Sequence, residues 1–502
     1  MSWGAVVLPL VAGALAVLPG ASPWTRCRRA VPLAWAAAAA ALGNVVLVAW
    51  RGSFGVGVGH GRDLVVGLWV NSLTATLALA VCGIGAVVVG YESRCYQSDV
   101  HGPRAVALTA LVVAGMAFTA LSADLVGLVA GWLVAGLAFL LLLGNRLDLP
   151  GTSMALRRVR RAFLIGDGAL VLALVVCLAA VGDTELVRPQ DLSVAAHALG
   201  GLRTPVALLI VMAALARCAQ WPVGDWLPAT IAAPTPTCAL LHAGVVNGGG
   251  ILLVRLGALG SGSVPAMAAL LAVSTVTAVA AGESGRERAD LKGSLAFSTM
   301  AQMGFMLAEC AVGAWLAATV HLVGHACYKA TLFLGSGAGV PRRGSVPVTA
   351  PLRPLTRSLV TVGVTVASVC AAAAVPGALA HRAAPVLFVF LAATTGALTW
   401  SWAHRAPAEA AARALALIGL VGLAAAYGAL LAGAGRWLDP SLAAPGAGVL
   451  NPWWLAVLLL GGLALRAVRT SGLGPALLRA RRERPGAVGE LTWATGAIGD
   501  VR

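Results

Sequence analysis

DLKGSLAFSTMAQMGFMLAECAVGAWLAATVHLVGHACYKATLFLGSG, residues 290 to 337, decides what kind of molecule this is. It reads as two apolar runs, near 292 to 310 and 312 to 337, each close to the ~20 residues that a helix needs to cross a bilayer. The second run nevertheless carries His321, His325 and Lys329 at a spacing of four, which stacks them along one helix face with a slow angular drift. Three titratable nitrogens then form a ladder over about two turns, roughly 12 Å. Charged groups at membrane depth cost several kcal/mol and tend to mark routes for ions or protons.

Lysine strengthens that reading by its rarity. It occurs only at Lys292 and Lys329, while the remaining basic residues are arginine. Arginine stays protonated at any accessible pH, whereas a buried lysine gives up its proton far more easily than one in water. The plainer alternative is an arginine-rich composition that spared two lysines by chance. For the ladder itself three readings stay open: a proton relay, polar packing between helices, or a metal site. The last is weak, because HLVGH lacks a glutamate after its first histidine and has no third ligand nearby in sequence.

Outward from this stretch the chain stays apolar. It is 59% hydrophobic and 11% charged, with a mean hydropathy of +0.88, whereas a soluble domain carries about 25% charged residues. Runs of membrane-spanning length recur near 3 to 20, 31 to 50, 70 to 91, 103 to 121, 123 to 144, 161 to 182, 203 to 220, 236 to 259, 265 to 282, 292 to 310, 312 to 337, 357 to 375, 384 to 402, 410 to 433 and 452 to 468. The fold expected is therefore all-α, a polytopic bundle of about 14 to 15 transmembrane helices. The first run has no basic segment before it and reads as a helix, not a cleaved signal.

Arginines cluster in alternate connections, at 26 to 29, 146 to 161, 286 to 288 and 342 to 357, and again in a tail at 466 to 502. The positive-inside rule puts these in the cytoplasm and the amino terminus outside. The net charge of +16 is then a topology signal that does not require nucleic acid; contact with anionic lipid is compatible with it. The nine cysteines form no CxxC pair and look like small packing residues.

A second polar cluster lies at LARCAQWPVGDWLPATIAAPTPTCALLHAGVVNGGG, residues 215 to 250. Arg217 falls inside an apolar run, and Pro222 and Pro228 interrupt the helix after it, as broken helices around transporter sites do. His242 follows in the next helix, and Asn247 with Gly248, Gly249 and Gly250 permits close approach of a neighbour. Asp225 or another carboxylate could pair with Arg217, and Asp167 is a good partner for a buried cation. Asp124 is a further intramembrane carboxylate. Glu309 reads equally as a solvated helix end or as a functional group. Pro376 and Gly377, followed by His381 and Arg382, suggest a second broken helix and with it inverted structural repeats.

The blocks at 219 to 255 and 290 to 337 resemble the core of the proton-translocating antiporter superfamily, which includes the large membrane subunits of respiratory complex I and the Mrp cation/proton antiporters. Within it, APTPTCALLHAGVVNGGG is most similar to the DabB-type membrane subunits of energy-coupled inorganic-carbon transporters. The resemblance implies a partner, a DabA-type peripheral subunit holding zinc, on which cation flow drives CO2 hydration to bicarbonate. It implies no cofactor and no catalytic site in this chain, H+ or Na+ as the conducted ion, and a place in the cell inner membrane. Lys292, His321, His325, Lys329, His242, Asp124 and Asp167 match positions of the superfamily pattern. Arg217 stands where those proteins have a buried lysine, and Leu133 where they have a glutamate, so the usual glutamate–lysine switch of the first half is missing. The division expected is 1–100 for amino-terminal helices, 101–260 and 261–405 for two antiporter-like repeats, 406–470 for carboxy-terminal helices and 471–502 for a basic tail. The alternatives are a subunit of complex I or of an Mrp-type antiporter and, from another class, a non-conducting scaffold that docks a soluble enzyme.

Overall fold

A computed structural model describes residues 2–19, 22–58, 66–182, 189–336, 352–377, scattered positions between 388 and 403, and 409–442. The expected helix at 452 to 468 and the tail beyond it lie outside these residues, as do His381, Arg382 and most of the run at 384 to 402.

Helices α1 (Gly4–Val17), α2 (Pro23–Arg51), α3 (Ser72–Cys95), α4 (Gly102–Leu121), α5 (Leu125–Gly144) and α6 (Thr152–Val181) make up the first half of the bundle. Three of them, α2, α3 and α5, start where a short polar side chain takes up a free N–H group of the first turn. Asn71 and Thr74 form a reciprocal capping box on α3, and Ser22 caps α2. Helix α1 has 14 residues with Pro9 inside it. At 1.5 Å per residue that is about 21 Å, short of a ~30 Å hydrocarbon layer, so the spanning helix expected at 3 to 20 is not formed in full. The all-α expectation also has one exception among the described residues. Phe54–Val58 (β1) and Val66–Val70 (β2) pair antiparallel, with Phe54 opposite Val70, and Leu68 bridges to Ser122. This glycine- and valine-rich stretch alternates over too few residues to stand out between two long apolar runs.

The middle of the chain is broken more finely than its hydropathy suggests. After α7 (Pro189–Ala198), helix α8 (Arg203–Arg217) stops at Arg217. A run without long helices comes next, holding Pro222 and, inside the one-turn α9 (Trp226–Ala229), Pro228. The single segment expected at 236 to 259 is in fact α10 (Thr235–Ala243), a 3-10 turn at Val245–Asn247, α11 (Gly248–Arg255) and the short α12 (Gly257–Gly260). No proline marks this second break. It occurs at Gly244, whose backbone (φ −121, ψ −75) leaves the helical region.

Helices α13 (Val264–Arg286), α14 (Leu291–Ala311), α15 (Trp315–Gly335), α16 (Pro354–Ala373) and α17 (Ala410–Leu438) complete the described bundle. Asp290 caps α14 by accepting the Gly293 N–H at 2.7 Å. Pro376 lies in a turn just past α16, and Gly377 there adopts φ +85. Residues 378–387, beyond that turn, are outside the described part of the chain. Helix α13 packs on α14, α4 on α5, α2 on α3 and α10 on α15.

Ten helical stretches among the described residues are long and apolar enough to cross a membrane. Helices α14 and α15 are not among them, although 21 residues each, about 31 Å, suffice in length. Their polar side chains dilute the hydropathy, and those side chains build the site. At one end of the bundle Arg146 pairs with Asp99 at 3.0 Å and Asp148 at 2.9 Å, tying the α3–α4 and α5–α6 connections together. Its guanidinium holds the exposed Asp148 carboxyl below the usual carboxylate range.

Candidate functional site

Helices α14 and α15 form an antiparallel hairpin turned at Gly313 (φ +74), and the ladder faces into it. Lys329 is fully buried; its ammonium donates to the Ser298 hydroxyl at 3.0 Å and to the Leu295 carbonyl at 3.3 Å, both on α14. One turn along α15, His325 Nδ1 lies 3.2 Å from Asn247 Oδ1. The Asn247 amide nitrogen donates to the Ala243 carbonyl at 2.8 Å, which turns its oxygen toward the imidazole. The His325 proton therefore sits on Nδ1, and Nε2 is buried with no hydrogen-bond partner among the described residues. One further turn along, His321 Nδ1 is 3.0 Å from Glu309 Oε2 near the end of α14.

His242, from α10, joins the same group. Its Nδ1 lies 3.0 Å from the Thr299 hydroxyl oxygen, and that hydroxyl donates to the Leu295 carbonyl, the acceptor that Lys329 also uses. The ring stacks on Phe333 of α15, with centroids 4.2 Å apart, and its Nε2 too is buried without a partner among the described residues. Lys292 is not in the ladder. It is half-buried at the first turn of α14, donates to the Ala233 carbonyl at 3.1 Å, and borders an open cavity with Thr235, Asp290 and Ser336. Lys329 and His242 thus share one bonded group through Thr299 and the Leu295 carbonyl, His325 pairs with Asn247 and His321 with Glu309, while Lys292 lies apart at the start of α14.

Two expectations need correction. The ladder does not run by direct contact, because the His321 and His325 rings are 6.3 Å apart, whereas a hydrogen bond needs about 2.7 to 3.2 Å between heavy atoms. That step requires a bridging group or a turn of the ring. Asp124 stands apart: it caps α5, accepting the Gly127 N–H at 2.6 Å, and among the described residues no bond joins it to the ladder. An aspartate just before an apolar run is a capping signal that the sequence already carried.

Arg217 and Asp167 form a second centre. Arg217 Nη2 meets Asp167 Oδ1 at 2.7 Å, and Trp132 Nε1 donates to the same oxygen at 2.6 Å. The guanidinium lies between the Trp132 and Phe163 rings, 4.0 and 4.1 Å from their centroids. Asp225, the other candidate partner, sits instead 3.6 Å from Arg158. The two centres are separated by the backbone at Gly248 to Gly250. A Cβ on Gly249 would lie 2.6 Å from both the Ala214 carbonyl oxygen and Cys218 Sγ, so only glycine lets α11 approach α8 this closely.

Several buried polar residues have roles or surroundings that the sequence left open. Ser298 and Thr299 look like ordinary small helix residues until the hairpin brings them to Lys329 and His242. Glu309 is buried (4% exposed), which removes the solvated-end reading. Glu92, fully buried in α3 and bonded to the Thr109 hydroxyl at 2.8 Å, sits so near the end of its run that it reads as a boundary. His321 and His325 are both occupied by non-metal partners, and among the described residues no group of three or more His, Cys, Asp or Glu is placed to hold a metal ion.

Comparison with known proteins agrees with this architecture. The chain is 36% identical over 284 residues to the probable inorganic carbon transporter subunit DabB of Bacillus subtilis, covering 55% of each chain. It is 34% identical over 277 residues to DabB1 of Halothiobacillus neapolitanus, covering 54% of this chain and 49% of that one. NADH-quinone oxidoreductase subunit L of Pseudomonas aeruginosa is 32% identical over 273 residues, covering 54% of this chain and 44% of that one. The chain spans about half the length of the curated relatives it matches. Among solved structures, a chain of the Mrp complex from Dietzia sp. DQ12-45-1b superposes with a TM-score of 0.63 at 25% identity, over 97% of this chain and 58% of that one. A chain of the archaeal membrane-bound sulfane sulfur reductase shares the fold, with a TM-score of 0.58 at 19% identity over 95% of both. The sequence profile of the NADH:quinone oxidoreductase/Mrp antiporter transmembrane family matches residues 122–404, more than half the chain, and this multi-pass membrane protein belongs to that family.

Proposed function

We propose that this chain is the proton-conducting membrane subunit of an energy-coupled inorganic-carbon transporter, driving CO2 hydration to bicarbonate on a peripheral, zinc-holding partner of the DabA type. The observation that carries it is the polar chain along the α14–α15 hairpin. From Lys292 to Glu309 is 17 positions on one helix, about 26 Å at 1.5 Å per residue, close to the ~30 Å of a hydrocarbon layer. Between them lie Lys329 with Ser298, His242 with Thr299, and His325 with Asn247.

The chemistry of these groups favours H+ over Na+. A sodium ion wants a cage of oxygen ligands, whereas these rungs are amine and imidazole nitrogens. An imidazole whose Nδ1–H is bonded and whose Nε2 lone pair is free can accept a proton at Nε2 and release the one on Nδ1. Arg217 acts as a fixed charge, since a guanidinium clamped between two rings and a carboxylate neither moves nor deprotonates. With Leu133 in place of a carboxylate, conduction runs through the α14–α15 half. The arginine distribution supports an orientation in an inner membrane with the Lys292 end on the cytoplasmic side and the Glu309 end outside. The resemblance to DabB proteins supports the carbon-transport assignment. The second reading, a subunit of an Mrp-type antiporter or of complex I, is favoured by the fit to the Dietzia structure.

Two measurements test this. Proteoliposomes holding the purified complex should conduct protons, and Lys329→Ala should reduce that flux by at least about tenfold; equal flux removes the relay. Co-purification then separates the readings: a large zinc-containing soluble subunit supports carbon transport, and a set of Mrp or respiratory subunits overturns it.

A further inference from the structure

Glu309 is the one acidic side chain on the α14–α15 hairpin, and it closes the end of the relay opposite Lys292. It is paired with His321 at 3.0 Å, two residues before the end of α14, and is 4% exposed, while the His321 side chain is 19% exposed. Phe305 packs on the His321 ring, with centroids 5.3 Å apart. From α17, Tyr427 packs on the small apolar cluster of Ala314, Ala317 and Leu431 beside the same turn, close enough to Glu309 to feel its charge. Among the described residues, the titratable groups facing Glu309 are therefore His321 on α15 and Tyr427 on α17, with Cys310 next to it on α14. No lysine or arginine stands among these groups.

Resting on the relay reading above, we propose that Glu309 is the terminal proton-exchange group of this chain, taking each proton from His321 and passing it to the aqueous phase at the α14–α15 turn. In the step itself the imidazolium gives up its Nδ1 proton to Glu309 Oε2, leaving a neutral imidazole and a carboxylic acid. The acid then loses that proton to water, and the carboxylate is restored; the reverse sequence loads the relay. A carboxylate at one end and an amine at the other gives the path an electrical polarity.

The experiment uses the full chain with its co-purifying partners in proteoliposomes, and reads proton flux while the pH on each side is varied separately. Gln in place of Glu309 keeps an acceptor for Nδ1 but cannot carry a proton. Glu309→Gln is expected to lower flux by at least about tenfold and to flatten its dependence on the pH at the turn side only. A variant with wild-type flux and pH profile, beside a Lys329→Ala control that is dead, overturns the role of Glu309 and leaves the relay standing. A Lys329→Ala control with full flux overturns the relay reading itself. Should Glu309→Gln fail to assemble, Glu309→Asp, which draws the carboxyl back by one methylene, is expected to shift the turn-side pH profile, and an unmoved profile overturns the proposal.

Discussion

Arg217 is bound to Asp167 through the same carboxylate oxygen that accepts the Trp132 indole N–H, at 2.7 and 2.6 Å. Both bonds converge on one atom inside a bundle where the guanidinium is 1% exposed. Removing the carboxylate leaves a buried cation uncompensated. Asp167→Asn should therefore destabilise the fold by about 3 to 5 kcal/mol, and Arg217→Met with Asp167→Leu should recover most of that loss. Thermal unfolding in detergent checks both, and an Asp167→Asn protein as stable as wild type refutes the pairing as a structural element.

Lys329→Arg separates charge from proton exchange. Arginine keeps a cation near Ser298 and the Leu295 carbonyl but cannot release its proton. Proton flux should fall by at least about tenfold while yield and assembly stay near wild type. Near-normal flux in the arginine variant would show that Lys329 serves as a fixed charge.

Asn247→Leu tests tautomer control. Its amide, oriented by the Ala243 carbonyl, keeps the His325 proton on Nδ1. Leucine matches the volume and removes the acceptor, so flux should drop by about tenfold with little change in melting temperature. Nitrogen chemical shifts of labelled histidine report whether the proton leaves Nδ1, and an unchanged tautomer would refute the assignment.

Gly249→Ala tests the partition between the two centres. The added Cβ meets a backbone oxygen and a sulfur at 2.6 Å, an overpacking that should cost about 1 to 3 kcal/mol. Gly282→Ala in α13 is the matched control, because nothing lies within 4 Å of its Cβ and alanine favours the helix by up to about 1 kcal/mol. Comparable melting temperatures for the two variants would contradict the close approach of α8 and α11.

Hydropathy revealed most of the helices because each buries an apolar run of fixed length, and the four-residue spacing of His321, His325 and Lys329 revealed their shared face for the same geometric reason. The features that stayed hidden depend on contacts between helices. Nothing local tells Ser298 or Thr299 from other small residues, and the pairing of Glu309 with His321 exists only once the turn at Gly313 fixes how α14 meets α15. The break at Gly244 was equally silent, since glycine is common throughout this chain. The capping role of Asp124 was legible, but its depth in an apolar region pointed toward ion chemistry first.

A single helical hairpin supplies Lys292, Ser298, Thr299 and Glu309 from one arm and Lys329, His325 and His321 from the other. An α-helix turns about 100° per residue, so one alanine inserted between Thr299 and Glu309 would swing the carboxylate a quarter-turn or more away from its imidazole. Such an insertion leaves charge and apolar length almost unchanged. Two chains nearly identical in composition can thus differ in whether anything crosses, because azimuthal phase between the two arms sets the continuity of the path.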